Sequence, residues 1–304
     1  MTTDLPTSGS SRTAEAVVDG GGAARDAVAP APAGVTDTPS PSAAPGASGL
    51  RSIPPWAIGV LGGVVIVAVW WLLALWSAAI PTPVEVVPEF GDAGWAYFWR
   101  NFSVTLAGAG VGYLWGNGLA LVLSGLVIVV PRLEGLITQL AIITYCIPIV
   151  AVGILAVVLV QPPAAGQPSG VAILLASLSV FFTTVVATLL GLKSADASAL
   201  DVVAVYGGSR FTQLVKVRLV AALPAILNGL QIAVPAAFLG AVLGEFFGKI
   251  ESGVGLAMTL AMQNSDAPRV WALALASGVV ALAGFALVGL VARLVAPWSK
   301  GAAS

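Results

Sequence analysis

Six long runs of apolar residues, separated by short segments with proline or charge, constrain this chain more than any other feature. They lie at about residues 56–80, 104–130, 139–160, 170–192, 224–247 and 270–296. Each run reaches the roughly 20 residues that a helix needs to cross the hydrocarbon core of a bilayer. Helices are expected because lipid offers no hydrogen-bond partner to free backbone groups, and the runs lack the alternation of barrel strands. The sequence therefore predicts an all-α polytopic membrane protein with six transmembrane helices within residues 51–304.

The first 50 residues differ sharply from these runs. Of them, 36 are Gly, Pro, Ser, Thr or Ala, and none is aromatic. Such a segment cannot bury enough apolar surface to offset the entropy lost on ordering. It does not resemble a signal peptide, because the first apolar run begins only near Trp56. Residues 1–50 are therefore predicted to be a disordered tail.

The ionisable residues exclude several classes of function. Only 9% of the chain is charged, and its 13 basic and 14 acidic residues nearly cancel, which argues against a nucleic-acid partner. The chain has no His and a single Cys, Cys146, so it cannot form an internal disulfide, a His/Cys metal site, a Ser-His-Asp triad or a Cys-His pair. It also lacks the Gly-x-x-x-x-Gly-Lys-Ser/Thr loop that cradles nucleotide phosphates. We therefore expect a non-catalytic chain with no metal and no cofactor.

The distribution of basic residues predicts the orientation. With the N-terminal tail on the inner side, ten of the 13 basic residues fall in inner segments, and only Arg100, Lys249 and Arg269 fall outside. Cytoplasmic loops carry an excess of Lys and Arg. Both termini are therefore predicted to be cytoplasmic, which agrees with an even number of spans.

Glycines recur every four residues in the second run and at the end of the fifth. They are Gly108, Gly112, Gly116, Gly240, Gly244 and Gly248. Small residues at this spacing let helix backbones approach closely. The two faces are predicted to be packing surfaces, either within one bundle or between subunits.

One inner loop, residues 193–223, is long enough to hold structure. Ser194 or Asp196 is placed to cap a first helix, Gly207 to end it, and Ser209 to cap a second. Side-chain oxygens at the first position satisfy free amide groups, and a glycine adopts the left-handed conformation that often ends a helix. The loop is therefore predicted to be a helix, a glycine turn and a second helix at the cytoplasmic surface, with Pro224 opening the next span.

This loop resembles that of the membrane subunits of binding-protein-dependent ABC importers. Asp201 to Gly207 occupies the place of their Glu-Ala-Ala segment and following Gly, and Arg218 to Pro224 that of their run ending in Leu-Pro. The Gly-Gly-Ser-Arg run at 207–210 is similar to the Gly-Ala-Ser-Arg of the nitrate, sulfonate and taurine branch, as are Ser103 to Leu106 and the Ile147-Pro148 step. The resemblance covers residues 55–298. The chain departs from the pattern in having Asp201 for Glu and two valines for the two alanines.

The resemblance implies a partnership rather than an activity. In that family the loop between the fourth and fifth transmembrane helices forms a cytoplasmic coupling helix that docks on a separate ATPase. The membrane subunits pair, here as a homodimer, in the plasma (cytoplasmic) membrane, and an extracellular or periplasmic solute-binding protein delivers the substrate. The residues assigned to ATPase coupling on this basis are Asp201, Val203, Ala204, Tyr206, Gly207, Ser209 and Arg210.

Polar residues inside the spans are the candidates for a pathway or a gate. They are Glu245, Asn117, Asn228 and Gln231. An ionisable group at membrane depth marks a functional site by default, and Glu245 is the main candidate. Its place near the outer end of the fifth run, where water is expected to reach it, suits a gate or loop packing as well as substrate contact. The three amides are alternatively interpreted as hydrogen-bonding across helices.

Two other classes of function compete with the importer. An ion-coupled secondary carrier would need acids or histidines at the middle of the membrane, which the runs lack, and a non-transporting scaffold would not explain the structured inner loop. The branch implies a small anion such as nitrate, a sulfonate or taurine as substrate, but related subunits import neutral and cationic heterocycles. The one basic residue in the runs, Arg293, is expected to reach the inner interface, so no basic residue lines the spans to favour an anion. The sequence leaves the substrate open.

Overall fold

The computed structural model describes residues 55–77, 79–248 and 250–297, and within these ranges it contains helices and no strand. The predicted disordered tail, residues 1–50, lies outside them. The helices are α1 (Pro55–Trp76), α2 (Pro83–Asp92), α3 (Gly94–Val129), α4 (Glu134–Cys146), α5 (Ile149–Leu159), α6 (Gly170–Lys193), α7 (Ala197–Val205), α8 (Arg210–Gln213), α9 (Leu219–Phe247), α10 (Val254–Gln263) and α11 (Ala267–Val295). A 3-10 turn (Pro131–Leu133) precedes α4, and a π-helical turn (Leu214–Arg218) joins α8 to α9.

The all-α membrane fold predicted from the apolar runs is confirmed, with one correction to its third span. Five helices of the described chain are long and apolar enough to cross a membrane: α1, α3, α6, the continuous Arg210–Phe247 helix and α11. The remaining run, predicted as one span at 139–160, is two helices, α4 and α5, bent by 90°. With this bent pair counted as one, the spans number six.

The bend in the third span has a local cause. Ile147 and Pro148 are both extended, with ψ of 126° and 113°. Proline cannot donate a backbone hydrogen bond, and its ring disfavours the helical conformation of the residue before it. Hydropathy alone predicted a straight span here, because every residue around the break is apolar.

Helix α6 forms the centre of the bundle, packed between α3 and α9. A Cβ atom built on Gly112 or Gly116 would collide with α6 at Ser177, and one on Gly240 or Gly244 would collide with α6 at Leu175 or Ala172. Both predicted glycine faces are therefore intramolecular packing surfaces. Because glycine has no side chain, α3 and α9 can each approach α6 backbone to backbone.

Two short helices fall where the sequence predicted only connections between spans. Helix α2 precedes α3 and is tied to α11, where Arg269 Nε donates to Glu89 Oε2 at 3.0 Å. Helix α10 lies in the segment 248–268, between the fifth and sixth runs. With ten residues it is too short to span a bilayer, so its place depends on what it packs against.

The predicted helix start at Pro224 is wrong. The helix that begins at Arg210 continues through the π turn, Pro224 and Pro235 to Phe247. Proline inside a membrane helix is tolerated where neighbouring helices and local changes of helical pitch satisfy the freed carbonyl groups. As a result, the inner loop and the fifth span share one continuous helix.

Candidate functional site

The loop at residues 193–223, called the coupling loop below, is built as its local sequence predicts. Asp196 caps α7, and its Oδ1 atom accepts from the Ser198 amide at 3.4 Å. Gly207 has φ +76°, a left-handed conformation that side chains disfavour, and its amide donates to the Ala204 carbonyl at 2.9 Å. Ser209 Oγ then accepts from the Thr212 amide at 3.3 Å. The predicted caps and the glycine turn are therefore confirmed.

The charge of Asp196 is stabilised by this capping geometry. Hydrogen bonds from the Ser198 hydroxyl and amide lower the pKa of the Asp196 carboxyl below its usual value. A carboxylate near the first amides of a helix also interacts favourably with the helix dipole. The start of α7 is therefore fixed by a charged cap.

Helix α7 presents apolar side chains outward. Val202, Val205 and Tyr206 are 56%, 84% and 88% exposed, although all three are apolar or aromatic. Val203 is half-buried because it packs against Gly208, leaving no room there for a Cβ atom. Among the residues assigned to coupling, Val203 therefore supports the turn, whereas Tyr206 lies on the exposed apolar surface. Val205, which the sequence assignment did not include, lies on the same exposed surface, on the side of α7 opposite the packed Val203.

The other residues assigned to coupling are exposed around this surface. They are Asp201, Ala204, Gly207, Ser209 and Arg210. One further side chain joins α7 to the start of the long helix, and another joins that helix to the end of α6. Gln213 Nε2 donates to the Leu200 carbonyl at 3.1 Å, and Arg218 Nη1 donates to the Leu192 carbonyl at 3.0 Å. Since Gln213 belongs to the Arg210–Phe247 helix, its hydrogen bond links α7 to the helix that forms the fifth span.

A second polar site lies at the opposite end of the same helix. Asn101 Oδ1 accepts from the Gly253 amide at 3.1 Å, Thr105 Oγ1 from the Val254 amide at 2.9 Å, and Glu245 Oε2 from the Gly255 amide at 2.8 Å. These three consecutive amides belong to the first turn of α10, where a helix has no internal acceptor for them. We call the three acceptors Asn101, Thr105 and Glu245 the α10 socket.

The socket is buried and tightly fitted. Asn101, Thr105 and Glu245 are at most 3% exposed, and Thr105 Oγ1 lies 3.0 Å from Glu245 Oε2. The prediction that water reaches Glu245 is therefore wrong, because α10 covers it. Gly253, with φ +149°, leaves room for the carboxylate, since a Cβ atom there would lie 2.7 Å from Glu245 Cδ. This contact fits loop packing or a gate better than direct substrate contact.

Of the three socket residues, only Glu245 was predicted from the sequence to be a functional residue. Thr105 entered through the family resemblance, and Asn101 was missed. Their spacing of four residues on α3 puts both on one side of the helix, in line with Gly108 and Gly112. Their position on the glycine face of α3 was the sequence feature from which Asn101 could have been identified. The backbone amides that these side chains bind could not be predicted in the same way, because the sequence did not predict helix α10.

The remaining pathway candidates do not join the socket. Asn117 is buried and accepts from the Thr184 hydroxyl of α6, which confirms an interhelical hydrogen bond for this residue. Gln231 fills the space beside Gly289 of α11, and Asn228 is exposed. Gln231 and Glu245 are 14 residues apart on α9, which is roughly 20 Å along a helix. The four candidates therefore form no single binding site.

Comparison with known proteins adds a family and several relatives. Residues 112–300 match the family described as the binding-protein-dependent transport system inner membrane component. The formylaminopyrimidine transport permease protein ThiX of Halalkalibacterium halodurans is 29% identical over 73% of this chain and 86% of its own length. The putative aliphatic sulfonates transport permease protein SsuC of Bacillus subtilis is 29% identical over 80% of this chain and 88% of its own length. The riboflavin transport system permease protein RibX of Chloroflexus aurantiacus is 25% identical over 75% of this chain and 87% of its own length.

Proposed function

Because the chain belongs to the family of binding-protein-dependent transport system inner membrane components, we propose that it is the permease subunit of an ATP-driven importer. In this proposal the chain forms the translocation pathway for a small solute. ATP hydrolysis takes place in separate cytoplasmic subunits, and an extracellular or periplasmic binding protein delivers the solute. The relatives named above are transport permeases, which agrees with a non-catalytic role for this chain.

The exposed apolar surface of α7 is the observation that carries the proposal. An aromatic side chain that is 88% exposed, next to a valine that is 84% exposed, is typical of a protein interaction site. We assign Tyr206 and Ala204 to contact with the ATPase, and Asp201 and Ser209 to polar contacts around it, with Arg210 at the base of the same surface. Val203 and Gly207 hold the turn that presents this surface.

The continuous Arg210–Phe247 helix provides the mechanical link. Nucleotide-driven movement of the ATPases would displace α7, and Gln213 would pass that displacement into α9. At the far end of the same helix, Glu245 holds the first turn of α10. We assign Glu245 to the outer gate, where movement of α9 changes the position of α10. Asn117 and Gln231 are assigned to helix contacts that move with the gate, and Asn228 to a surface beside the pathway.

The orientation and assembly follow from the same assignment. An ATPase partner requires the coupling loop to face the cytoplasm, as the distribution of basic residues predicts, and this places both termini there in the plasma membrane. A chain with one coupling loop supplies one ATPase contact. Two copies would therefore form the pathway as a homodimer, above two ATPase subunits.

The substrate class is the least constrained part of the proposal. One relative is named for aliphatic sulfonates and two for heterocyclic compounds, formylaminopyrimidine and riboflavin. In the described chain, Lys and Arg residues lie in loops or near helix ends, so charge does not single out an anion. We propose a small polar solute and take the nitrate, sulfonate or taurine type as the first to test.

The test is ATP-driven uptake in proteoliposomes that contain this chain with its ATPase and binding protein. Tyr206→Asp should reduce uptake roughly thirty-fold, as expected for a central aromatic contact worth about 2 kcal/mol. Ala197→Asp is the matched control, since it adds the same charge to the exposed first turn of α7, where acids are favourable, and it should retain uptake. Uptake driven by an ion gradient without the ATPase would contradict the proposal.

A further inference from the structure

A cavity lies where the coupling loop meets the end of α3. It has a volume of about 370 Å³ and is lined by Val129, Val130, Pro131, Arg132 and Arg210. Two of these residues are arginines from distant parts of the chain, one in the 3-10 turn after α3 and the other at the start of α8. The cavity therefore combines two positive charges with an apolar wall.

The two arginines have no acidic partner in the part of the chain that the structure describes. The ion pairs there join Lys193 to Glu134, and Arg269 to Glu89 and Asp266. Arg132 and Arg210 take part in none of them, and both are exposed. Two unpaired guanidinium groups around one cavity repel each other, so the arrangement favours an anion between them.

We propose that this cavity binds the phosphate of an anionic phospholipid. A guanidinium group donates two parallel hydrogen bonds, a geometry that fits phosphate oxygens. The apolar wall is formed by the last residues of a membrane-spanning helix, Val129 and the adjoining Val130, where a lipid headgroup meets its acyl chains. An acidic side chain of a protein partner would satisfy the arginines but would leave these valines uncovered. Basic pockets at the ends of membrane helices are known to bind such headgroups.

The site has a consequence for the coupling loop. Arg210 follows the Gly207 turn and begins the helix that continues into α9. A lipid held by Arg132 and Arg210 would join the end of α3 to the start of that helix. It would thereby fix the base from which α7 projects. The inference rests on the proposed function only for assigning this end of the helices to the cytoplasmic leaflet.

The experiment measures lipid retention by the full chain, purified without any ATPase from nanodiscs of phosphatidylcholine mixed with phosphatidylglycerol. The wild-type chain should retain phosphatidylglycerol, detected by mass spectrometry. Arg132→Gln and Arg210→Gln should each lower its affinity about five-fold, and the double variant about 25-fold, the factors that correspond to about 1 kcal/mol per basic residue near an anionic surface. The double variant Lys216→Gln/Arg293→Gln removes the same charge from exposed positions outside the cavity and should retain the lipid.

Three results would overturn the inference. The first is equal retention of phosphatidylglycerol by the wild type and the folded Arg132→Gln/Arg210→Gln variant. The second is equally tight binding of water-soluble glycerol phosphate, which would indicate a solute site. The third is loss of ATPase binding by the double variant with unchanged lipid retention, which would assign the arginines to a protein carboxylate. Because lipid retention is measured without the ATPase, a failure of the proposed importer function would appear separately, as no ATPase binding by the wild type.

Discussion

The α10 socket and the coupling loop lie at opposite ends of the Arg210–Phe247 helix. The socket buries polar side chains, whereas the coupling loop exposes apolar ones. In the socket, three polar side chains are buried, and each accepts a hydrogen bond from a backbone amide of the same chain. In the coupling loop, the backbone is capped, but Val202, Val205 and Tyr206 face outward. Glu245 and Arg210 are 35 residues apart, which is roughly 50 Å along a helix.

The socket residues make their hydrogen bonds within the chain, whereas the exposed side chains of the coupling loop are available to a partner. Buried polar groups contribute to stability only when their hydrogen bonds are made, so damage to the socket should lower the stability of the folded chain. Exposed apolar side chains gain free energy only when another surface covers them. Damage to the coupling loop should therefore lower partner binding and leave the fold intact.

Gly253→Val should have the largest effect, a loss of the folded chain. Gly253 has φ +149°, and a Cβ atom there would lie 2.7 Å from both Glu245 Cδ and Oε2. Valine would be strained in this conformation and would also displace the carboxylate, so its cost adds to that of removing the Glu245 contact. We expect a destabilisation of about 5 kcal/mol or more, which equals the whole stability of many domains. The fraction of monodisperse protein after extraction in mild detergent measures it, and a yield equal to wild type would contradict the role of the socket.

Glu245→Ala should destabilise the folded chain by about 3 kcal/mol. The Gly255 amide would lose its acceptor, and the Thr105 hydroxyl would keep only the Asn101 carbonyl; a buried group without a partner costs about 1–3 kcal/mol. This corresponds to a fall of about 6–12 °C in Tm for a chain of this size. Glu245→Gln keeps an acceptor oxygen and should lose less.

Thermal unfolding of the purified chain tests the Glu245 prediction. Glu251→Ala is the matched control, because Glu251 is an exposed acid in the same connection and should change the free energy of unfolding by no more than about 0.5 kcal/mol. An unchanged Tm for Glu245→Ala would show that the contacts of α10 other than those of Glu245 are sufficient to hold it.

Gly207→Val should abolish import with little change in stability. Gly207 has φ +76°, a left-handed conformation that valine disfavours, but nothing lies within 4 Å of its Cβ position. The cost is therefore backbone strain of about 1–2 kcal/mol, which the loop relieves by changing the direction of α7. Gly207→Asn is the matched control, since asparagine tolerates the left-handed region. ATP-driven uptake and Tm are measured together, and undiminished uptake by Gly207→Val would remove the coupling assignment.

The contrast between the two ends also explains how much the sequence could predict. The coupling loop depends on local interactions, so Asp196, Gly207 and Ser209 were identified from residue type and spacing. The socket depends on contacts between residues far apart in sequence, such as Thr105 with Glu245 and with Val254. Hydropathy predicted the six spans, because each is a continuous apolar run. It could not predict the 90° bend at Pro148 or the position of α10, since both depend on backbone geometry and distant acceptors.

The smallest effect is expected at Asp196, the charged cap of α7. Asp196→Ala removes the acceptor of the Ser198 amide, so the first turn of α7 should open more often, with a loss of amide protection that is roughly several-fold. Because hydrogen bonds from Ser198 lower the pKa of the Asp196 carboxyl, the ionised cap stabilises α7 at neutral pH. That stabilisation should be lost as the pH falls through the lowered pKa. Hydrogen exchange at residues 198–201 measures both effects, and Asp196→Asn, which keeps a capping oxygen, should remain protected and lose most of the pH dependence. Equal protection of Asp196→Ala and wild type would show that contacts such as Gln213 with the Leu200 carbonyl, rather than the cap, hold α7 in place.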